Sequence, residues 1–383
     1  MIAFARSDRS LLARWWWTVD RWTLLTVVML IGVGLILILA ASPGMAARFN
    51  LSSFHFGLRQ ALFLVPALAL LIGISLLEPI WIRRFAVLLL PAAALLMLVT
   101  LLLDIKMNGA ARWIPLGPFT LQPSEFVKPA FAVVAAWLIA TELRSPGFPG
   151  RKLVAAIYLL LVAMLLAQPD FGQAVLISVV WAAQIFIAGL PILWLAGLAA
   201  AGLAGITAAY FTMPHVASRI DRFIDPASGD TGQIDRALNA FRSGGVFGRG
   251  PGEGAVKQHL PDAHTDYIFA VAGEEFGAFA CLAILAAFAV IVVRGMARLM
   301  HEEDPFAFLA VAGLLILFGL QAVINIGVNL ALLPSKGMTL PFISYGGSSL
   351  LALAITMGMV LGLTRGNRFL SRSGGLAVRG ARQ

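Results

Sequence analysis

Apolar residues in this chain run in long uninterrupted stretches, with no alternation and no single helical stripe. Charge-free or nearly charge-free stretches cover residues 22–41, 60–77, 85–103, 124–141, 153–167, 171–188, 192–211, 266–293, 306–330 and 345–364. Each predicts a helix that can cross ~30 Å of hydrocarbon at ~1.5 Å per residue, and 153–167 is the shortest. Gly189-Leu190-Pro191 breaks the sixth stretch from the seventh. The reading is an all-α polytopic membrane protein of ten transmembrane helices, 1–383 forming a single membrane domain. One large polar segment, 212–265, lies between the seventh and eighth spans; it is glycine-rich and mixed in charge, and predicts part ordered loop and part short helix.

Composition agrees. Hydrophobic residues make up 60% of the chain, and only 12% is charged, against roughly 25% in soluble domains. Mean hydropathy is +0.89. A soluble enzyme, a secreted disulfide scaffold and a disordered regulator are excluded. The one cysteine, Cys281, permits no internal disulfide. The net charge of +9 speaks of topology, and nucleic-acid binding is a poor explanation for it. With the N-terminus inside, the inner segments carry 16 Lys and Arg and the outer ones 12, of which six fall in 212–265. Long loops are discounted, so both termini are expected in the cytoplasm: a tail at 1–21 and a basic tail at 365–383. Residues 40–46 resemble a small-residue cleavage site, but the apolar run before them is too long for a signal-peptide core. Trp15, Trp16, Trp17 and Trp22 read as an interfacial anchor of an uncleaved first helix.

Ionisable residues near a membrane are costly and need a reason. Here they gather at the outer ends of the spans. Arg112-Trp113 precedes Gln122-Pro123-Ser124-Glu125-Phe126-Val127-Lys128, where Glu125 and Lys128 share a helical face. They form a cap and ion pair, or Lys128 faces a polar cavity and offers charge to an anionic substrate. Asp170, in Gln168-Pro169-Asp170-Phe171-Gly172, caps the sixth helix or enters a site. Residues 243–254 hold six glycines, free to approach phosphates but equally the pattern of a linker. Asp266 opens the eighth span as an N-cap or as a functional acid, and Glu274 and Glu275 follow on different faces. Gln321, Asn325 and Asn329 form an i, i+4, i+8 strip suited to interhelical hydrogen bonds. The Pro/Gly/Ser-rich segment 333–349 is non-helical backbone near membrane level, which is tolerated only when buried in protein or lining a wet cavity. No His/Cys cluster for zinc, no Ser/His/Asp arrangement and no cofactor fingerprint is present.

Four of these motifs, Gln122–Lys128, Gln168–Gly172, Leu260-Pro261-Asp262-Ala263-His264-Thr265-Asp266 with Glu274-Glu275, and 333–349, occur together and in order. The chain resembles the SEDS family (shape, elongation, division, sporulation) over nearly its whole length. Gly250-Pro251-Gly252-Glu253-Gly254-Ala255-Val256-Lys257 and 334–341 resemble its division branch more than its elongation branch. The resemblance implies a peptidoglycan glycosyltransferase of the bacterial inner membrane. It would polymerise lipid II on the outer face, at the septum, alongside a class B penicillin-binding protein and divisome regulators. It places the family's essential acid at Asp266 and its conserved cavity at Glu125, Lys128, Arg112 and Trp113; Lys257, Arg249, His264, Lys336 and Ser344 are further candidate substrate-binding residues. Two departures stand out: Ala227 follows Asp225-Pro226 where the family often has an aromatic, and Tyr267 stands where Phe is common.

That chemistry suits these residues. A polyprenyl diphosphate leaves readily, whereas the acceptor's 4-hydroxyl needs a positioned carboxylate. Asp266 is the candidate base; alternatively it holds a divalent cation (Mg or Mn) against the diphosphate. Attack on the α-linked donor gives a β-1,4 bond with inversion. The rival readings are a lipid II flippase, an elongation-type polymerase and a silent scaffold. The outward skew of polarity and the lack of an evident repeat disfavour the flippase.

Overall fold

A computed structural model describes residues 10–48, 50–103, 111–117, 119–224, 232–334 and 337–365. The ten apolar stretches form α2 (Arg21–Arg48), α3 (His55–Ser75), α4 (Pro79–Leu103), α5 (Pro123–Arg144), α6 (Gly150–Ala167), α7 (Phe171–Ile187), α8 (Ile192–Thr212), α11 (Ile268–Leu299), α12 (Pro305–Asn329) and α13 (Gly347–Leu363). Eight are long and apolar enough to cross a membrane by length and composition; α7 and α13 are apolar but shorter. At 17 residues each they rise about 25 Å. The chain is a multi-pass membrane protein.

Burial sorts the helices by depth in the bundle. α5 and α12 are buried along most of their length, with α5 packed against α4, α6, α7, α12 and α13. α13 lies against α3 and passes α12. In contrast, α8 is apolar on all sides yet almost wholly exposed, touching mainly α7 and α9 (Pro214–Ile224). An apolar helix without protein cover is matched to lipid.

Among the described residues, three α-helices fall outside the apolar stretches. α9 and α10 (Gly232–Gly244) lie between α8 and α11, followed by a 3-10 turn at Val256–His259. The third, α1 (Leu11–Thr18), stands within the segment read from sequence as a tail. Ser10 caps it by accepting from Ala13 N at 3.2 Å. Trp15 Nε1 donates to Ser75 Oγ at 2.9 Å, so one face is fastened to the end of α3. Just beyond, Asp20 accepts two bonds from Arg294 Nε (3.0 and 2.8 Å) and pairs with Arg298 at 3.0 Å. Burial alone raises the Asp20 carboxyl, but hydrogen bonds from Arg294 and Thr23 and the charges of Arg298 and Arg294 outweigh it and hold it below its ordinary value.

A short antiparallel hairpin, β1 (Ile114–Leu116) and β2 (Phe119–Leu121), leads into α5. The non-helical segment 337–346 sits inside the bundle, with Met338, Leu340, Phe342 and Ile343 buried. Gly34 of α2 makes room for it: a Cβ there would meet Phe342 O at 2.5 Å.

Candidate active site

The site begins with how the bundle holds Asp266. Asp262 adopts a positive φ of 52°, a left-handed conformation that aspartate tolerates better than most residues. Its carbonyl then accepts from Thr265 N, Asp266 N and Tyr267 N at 3.0, 3.1 and 3.3 Å, a tight turn that delivers the chain into α11. The amide strip of α12 grips this turn. Asn325 Nδ2 and Asn329 Nδ2 both donate to Asp266 O, at 3.0 and 2.8 Å. Asn329 Oδ1 accepts from Ala270 N at 3.1 Å, in the first turn of α11.

The same strip holds the segment before α13. Asn325 Nδ2 donates to Met338 O at 2.6 Å, and Gln321 Nε2 to Thr339 O at 3.1 Å. Ser344 Oγ accepts from Leu340 N at 2.7 Å and donates to Thr265 O at 2.6 Å, while Tyr345 N donates to His264 O at 2.8 Å. The 262–266 turn and the 337–346 segment are therefore one hydrogen-bonded unit. Gly337 lies against the Asp266 carboxylate: a Cβ there would sit 3.1 Å from Oδ2.

A second buried network joins from α5. Lys128 Nζ donates to Glu125 Oε2 at 2.9 Å and to Gln321 Oε1 at 3.2 Å, and Gln173 Nε2 of α7 donates to Glu125 Oε1 at 2.8 Å. Both charges are buried and neutralise one another, as a buried pair must. Arg112 is fixed separately, with Nε donating to Gln168 O at 2.9 Å, Nη2 to Pro169 O, and Nη1 3.9 Å from Asp170 Oδ1. Asp170 also caps α7, accepting from Gln173 N at 3.5 Å.

These pieces enclose a polar cavity of about 480 Å³. Asp262, Thr265, Asp266, Gly337 and Thr339 form one wall; Arg112, Trp113, Glu125, Asp170 and Gln173 form another. Arg59, Phe63, Phe119, Tyr345 and Ser348 also line it. The Arg59 guanidinium lies 5.7 Å from the Phe119 ring centroid. Lining residues come from the starts of α3, α5, α7, α11 and α13, which all open toward the cavity. Helix N-termini carry partial positive charge, which together with Arg59 and Arg112 offsets the lining carboxylates Glu125, Asp170, Asp262 and Asp266.

The structure thus brings Asp266, Glu125, Arg112 and Trp113 to one cavity. Lys128 is not on the lining; it stands behind Glu125 as its ion-pair partner. Ser344 is buried and builds the turn. His264 packs between the rings of Phe56 (4.4 Å) and Tyr345 (5.3 Å), and its Nδ1 has no hydrogen-bond partner. Burial pushes its pKa down to about 4, so the ring is neutral near pH 7. Lys257 points away, donating to Glu275 Oε1 and to Ala40 O at 3.0 Å. Arg249 is exposed and folds back on Ser243 O at 3.1 Å. Lys336 lies outside the described residues. Sequence reading did not single out Arg59, and it reached Thr339 and Tyr345 only as part of the 333–349 segment; Arg59, the fifth residue of α3, gave a faint signal as a lone charge beside a span. Among the described residues, no three His, Cys, Asp or Glu side chains gather as a metal ion needs. A divalent cation held by Asp266 would therefore draw most of its ligands from water and substrate oxygens.

Known proteins share this plan. A family profile described as "Cell cycle protein" (FTSW_RODA_SPOVE) matches residues 21–368. A relative from Caulobacter vibrioides (strain NA1000 / CB15N), named "Probable peptidoglycan glycosyltransferase FtsW", is 46% identical over 364 residues, 95% of this chain and 93% of its own. One of the same name from Trichlorobacter lovleyi is 36% identical, covering 92% of this chain and 94% of its own. Among solved structures, a chain of a peptidoglycan synthase complex described as coordinating polymerization and crosslinking aligns with a TM-score of 0.74 at 26% identity, covering 91% of this chain and 98% of its own. The Thermus thermophilus rod shape determining protein RodA aligns with a TM-score of 0.67 at 26% identity, covering 92% and 99%. The chain belongs to the FtsW/RodA/SpoVE family of cell cycle proteins.

Proposed function

We propose that this protein is a peptidoglycan glycosyltransferase that polymerises lipid II into β-1,4-linked glycan strands on the outer face of the bacterial inner membrane, during septal wall synthesis. The observation that carries the reading is the Asp266 carboxylate on the wall of a polar cavity toward which five helix starts open. The names of its relatives supply the substrate class, and the division-type loop residues together with the FtsW relatives favour the septum.

In this reading the cavity lies at the outer end of ten spans, with both termini cytoplasmic and 212–265 outside. The acceptor's 4-hydroxyl gives its proton to Asp266 as its oxygen attacks C1 of the donor sugar from the face opposite the diphosphate. The new C–O bond forms as the C1–O bond to diphosphate breaks, inverting the anomeric centre, and undecaprenyl diphosphate leaves. A positioned base contributes about 10²–10⁴-fold. Arg59 and the helix starts meet the diphosphate charge, with Arg112 behind Asp170. Trp113 offers an apolar face to a sugar. Glu125 and Lys128 hold the floor, and Gln321 transmits that anchor to Thr339.

Class B penicillin-binding protein and divisome regulators are the expected partners, and the peptidoglycan synthase complex among the structural neighbours supports the first. A flippase gains no support, because the cavity's polar wall belongs to one end of the bundle. The test is incubation of the purified protein, its penicillin-binding partner and lipid II with a β-lactam to block crosslinking. Long glycan strands on a gel are expected. Absence of strands with partner bound, alongside transbilayer movement of lipid II in vesicles, would return the transporter reading.

A further inference from the structure

The helical run 268–299 is broken within its first third. Gly277 has φ 76° and ψ −174°, so a short outer piece, 268–276, is separated from the rest of α11. Main-chain groups at such a break need partners, and the glycine-rich loop supplies them. Arg249 N and Gly250 N donate to Glu274 O and Glu275 O, each at 3.0 Å, while Ala278 N donates to Gly245 O at 3.0 Å. Gly248 makes the approach possible, since a Cβ there would meet Glu275 O at 2.2 Å.

Side chains then pin the loop to the outer piece. Glu274 spends both carboxylate oxygens on main-chain N–H groups, those of Val256 and Lys257, each at 2.8 Å. Glu275 Oε1 accepts from Gly252 N at 3.1 Å and from Lys257 Nζ. Lys257 Nζ also donates to Ala40 O of α2 at 3.0 Å. Glu274, Glu275 and Lys257 are all buried, and Glu275 Oε2 has no partner in the described structure. Buried charges are expensive, and a pair of this kind is weak evidence of added stability. Its geometry has another consequence. Because of the break, helix continuity does not orient the outer piece; the loop and this ion pair do so from one side and the α12 amides Asn325 and Asn329 from the other. Asp266 stands two residues before that piece.

We infer that Lys257 and Glu275 are positioning residues for the reaction. Together they lock the 245–257 loop and α2 to the outer piece of α11 and so fix where the Asp266 carboxylate stands. Lys257 acts through Glu275 and not on the substrate. The inference rests on the proposed polymerase reading for its kinetic arm only.

The test compares wild type, Lys257→Met, Glu275→Gln and the double variant in full-length protein. Hydrogen–deuterium exchange at residues 266–271 comes first, because it needs no activity. In the double variant, which removes both members of the ion pair at once, exchange there should rise about tenfold while α5 and α12 stay protected. Lipid II polymerisation follows, with wild type and Asp266→Ala as references. The double variant should lose about 10- to 100-fold in kcat with KM little changed. If the double variant folds, exchanges like wild type at 266–271 and turns over normally, the inference is overturned. Should the single variants unfold but the double one recover both stability and full turnover, the pair is purely structural and the inference again fails. If wild type makes no strands, the polymerase reading fails, while the exchange result still decides the lock.

Discussion

Replacing Asn329 with alanine removes a clamp that touches the proposed base through its own main chain. Asn329 is fully buried, and its side chain donates to Asp266 O at 2.8 Å and Asn325 O at 2.9 Å and accepts from Ala270 N at 3.1 Å. Interhelical side-chain hydrogen bonds in membranes average about 0.6 kcal/mol each, so losing the two that reach Asp266 O and Ala270 N costs about 1 kcal/mol. Leaving Ala270 N unsatisfied raises that toward about 3 kcal/mol. The melting temperature in detergent should fall by roughly 5 °C. Asn325 still holds Asp266 O at 3.0 Å, so the turn shifts without being lost. Misplacing a catalytic group by about 1 Å costs about 10²-fold, so kcat for lipid II polymerisation should fall by about 10- to 100-fold. Asn329→Asp is the sharper partner variant. It keeps an acceptor for Ala270 N but sets a carboxylate against Asp266 O, and should lose at least as much turnover as the alanine. Were Asn329→Ala to melt within about 1 °C of wild type and polymerise at its rate, the clamp would have no role.

Two further predictions concern stability. His264 has its folded pKa pushed down to about 4 from an ordinary 6.5. Its burial therefore favours the fold fully above pH 6.5, and that contribution is lost as pH falls toward 4, amounting to about 3 kcal/mol. His264→Phe should flatten the melting curve against pH in that window; an unchanged slope refutes the assignment. Gly277→Ala forces a side chain into a left-handed position where its Cβ would meet Gly248 N and Val246 O, each at 2.4 Å. It should cost more than the about 1–3 kcal/mol of backbone strain alone, whereas Gly197→Ala, with nothing within 4 Å of its Cβ, should be neutral by thermal melting.

The bundle was legible because burial in lipid imposes length and polarity at once. Each charge-free stretch is a helix, and the ends that carried charge are the ends that meet. Glu125 and Lys128 were legible as an i, i+3 pair, but that spacing is silent on direction, and whether Lys128 entered the cavity depended on where α12 set Gln321. The amide strip read as helix-to-helix glue. In the structure it grips main chain at Asp266, Met338 and Thr339, partners that no periodicity reveals. Arg59 comes from α3 and Thr339 and Tyr345 from the segment before α13, and they share a cavity only after folding. The break at Gly277 hid in an apolar run where a single glycine is ordinary. α1 escaped because a one-sided helix of eight residues leaves little trace among so many apolar neighbours; its fastening shows only once Ser75 is set beside Trp15 and Arg294 and Arg298 hold Asp20 just beyond it.

Asp266→Asn tests the central claim most directly. The amide keeps the size of the carboxylate and removes its charge and basicity, so the fold and partner binding should survive. With the penicillin-binding partner present and crosslinking blocked, the account predicts that lipid II polymerisation falls by about 10²–10⁴-fold with the melting temperature unchanged. Glycan strands formed at the wild-type rate by Asp266→Asn would contradict it.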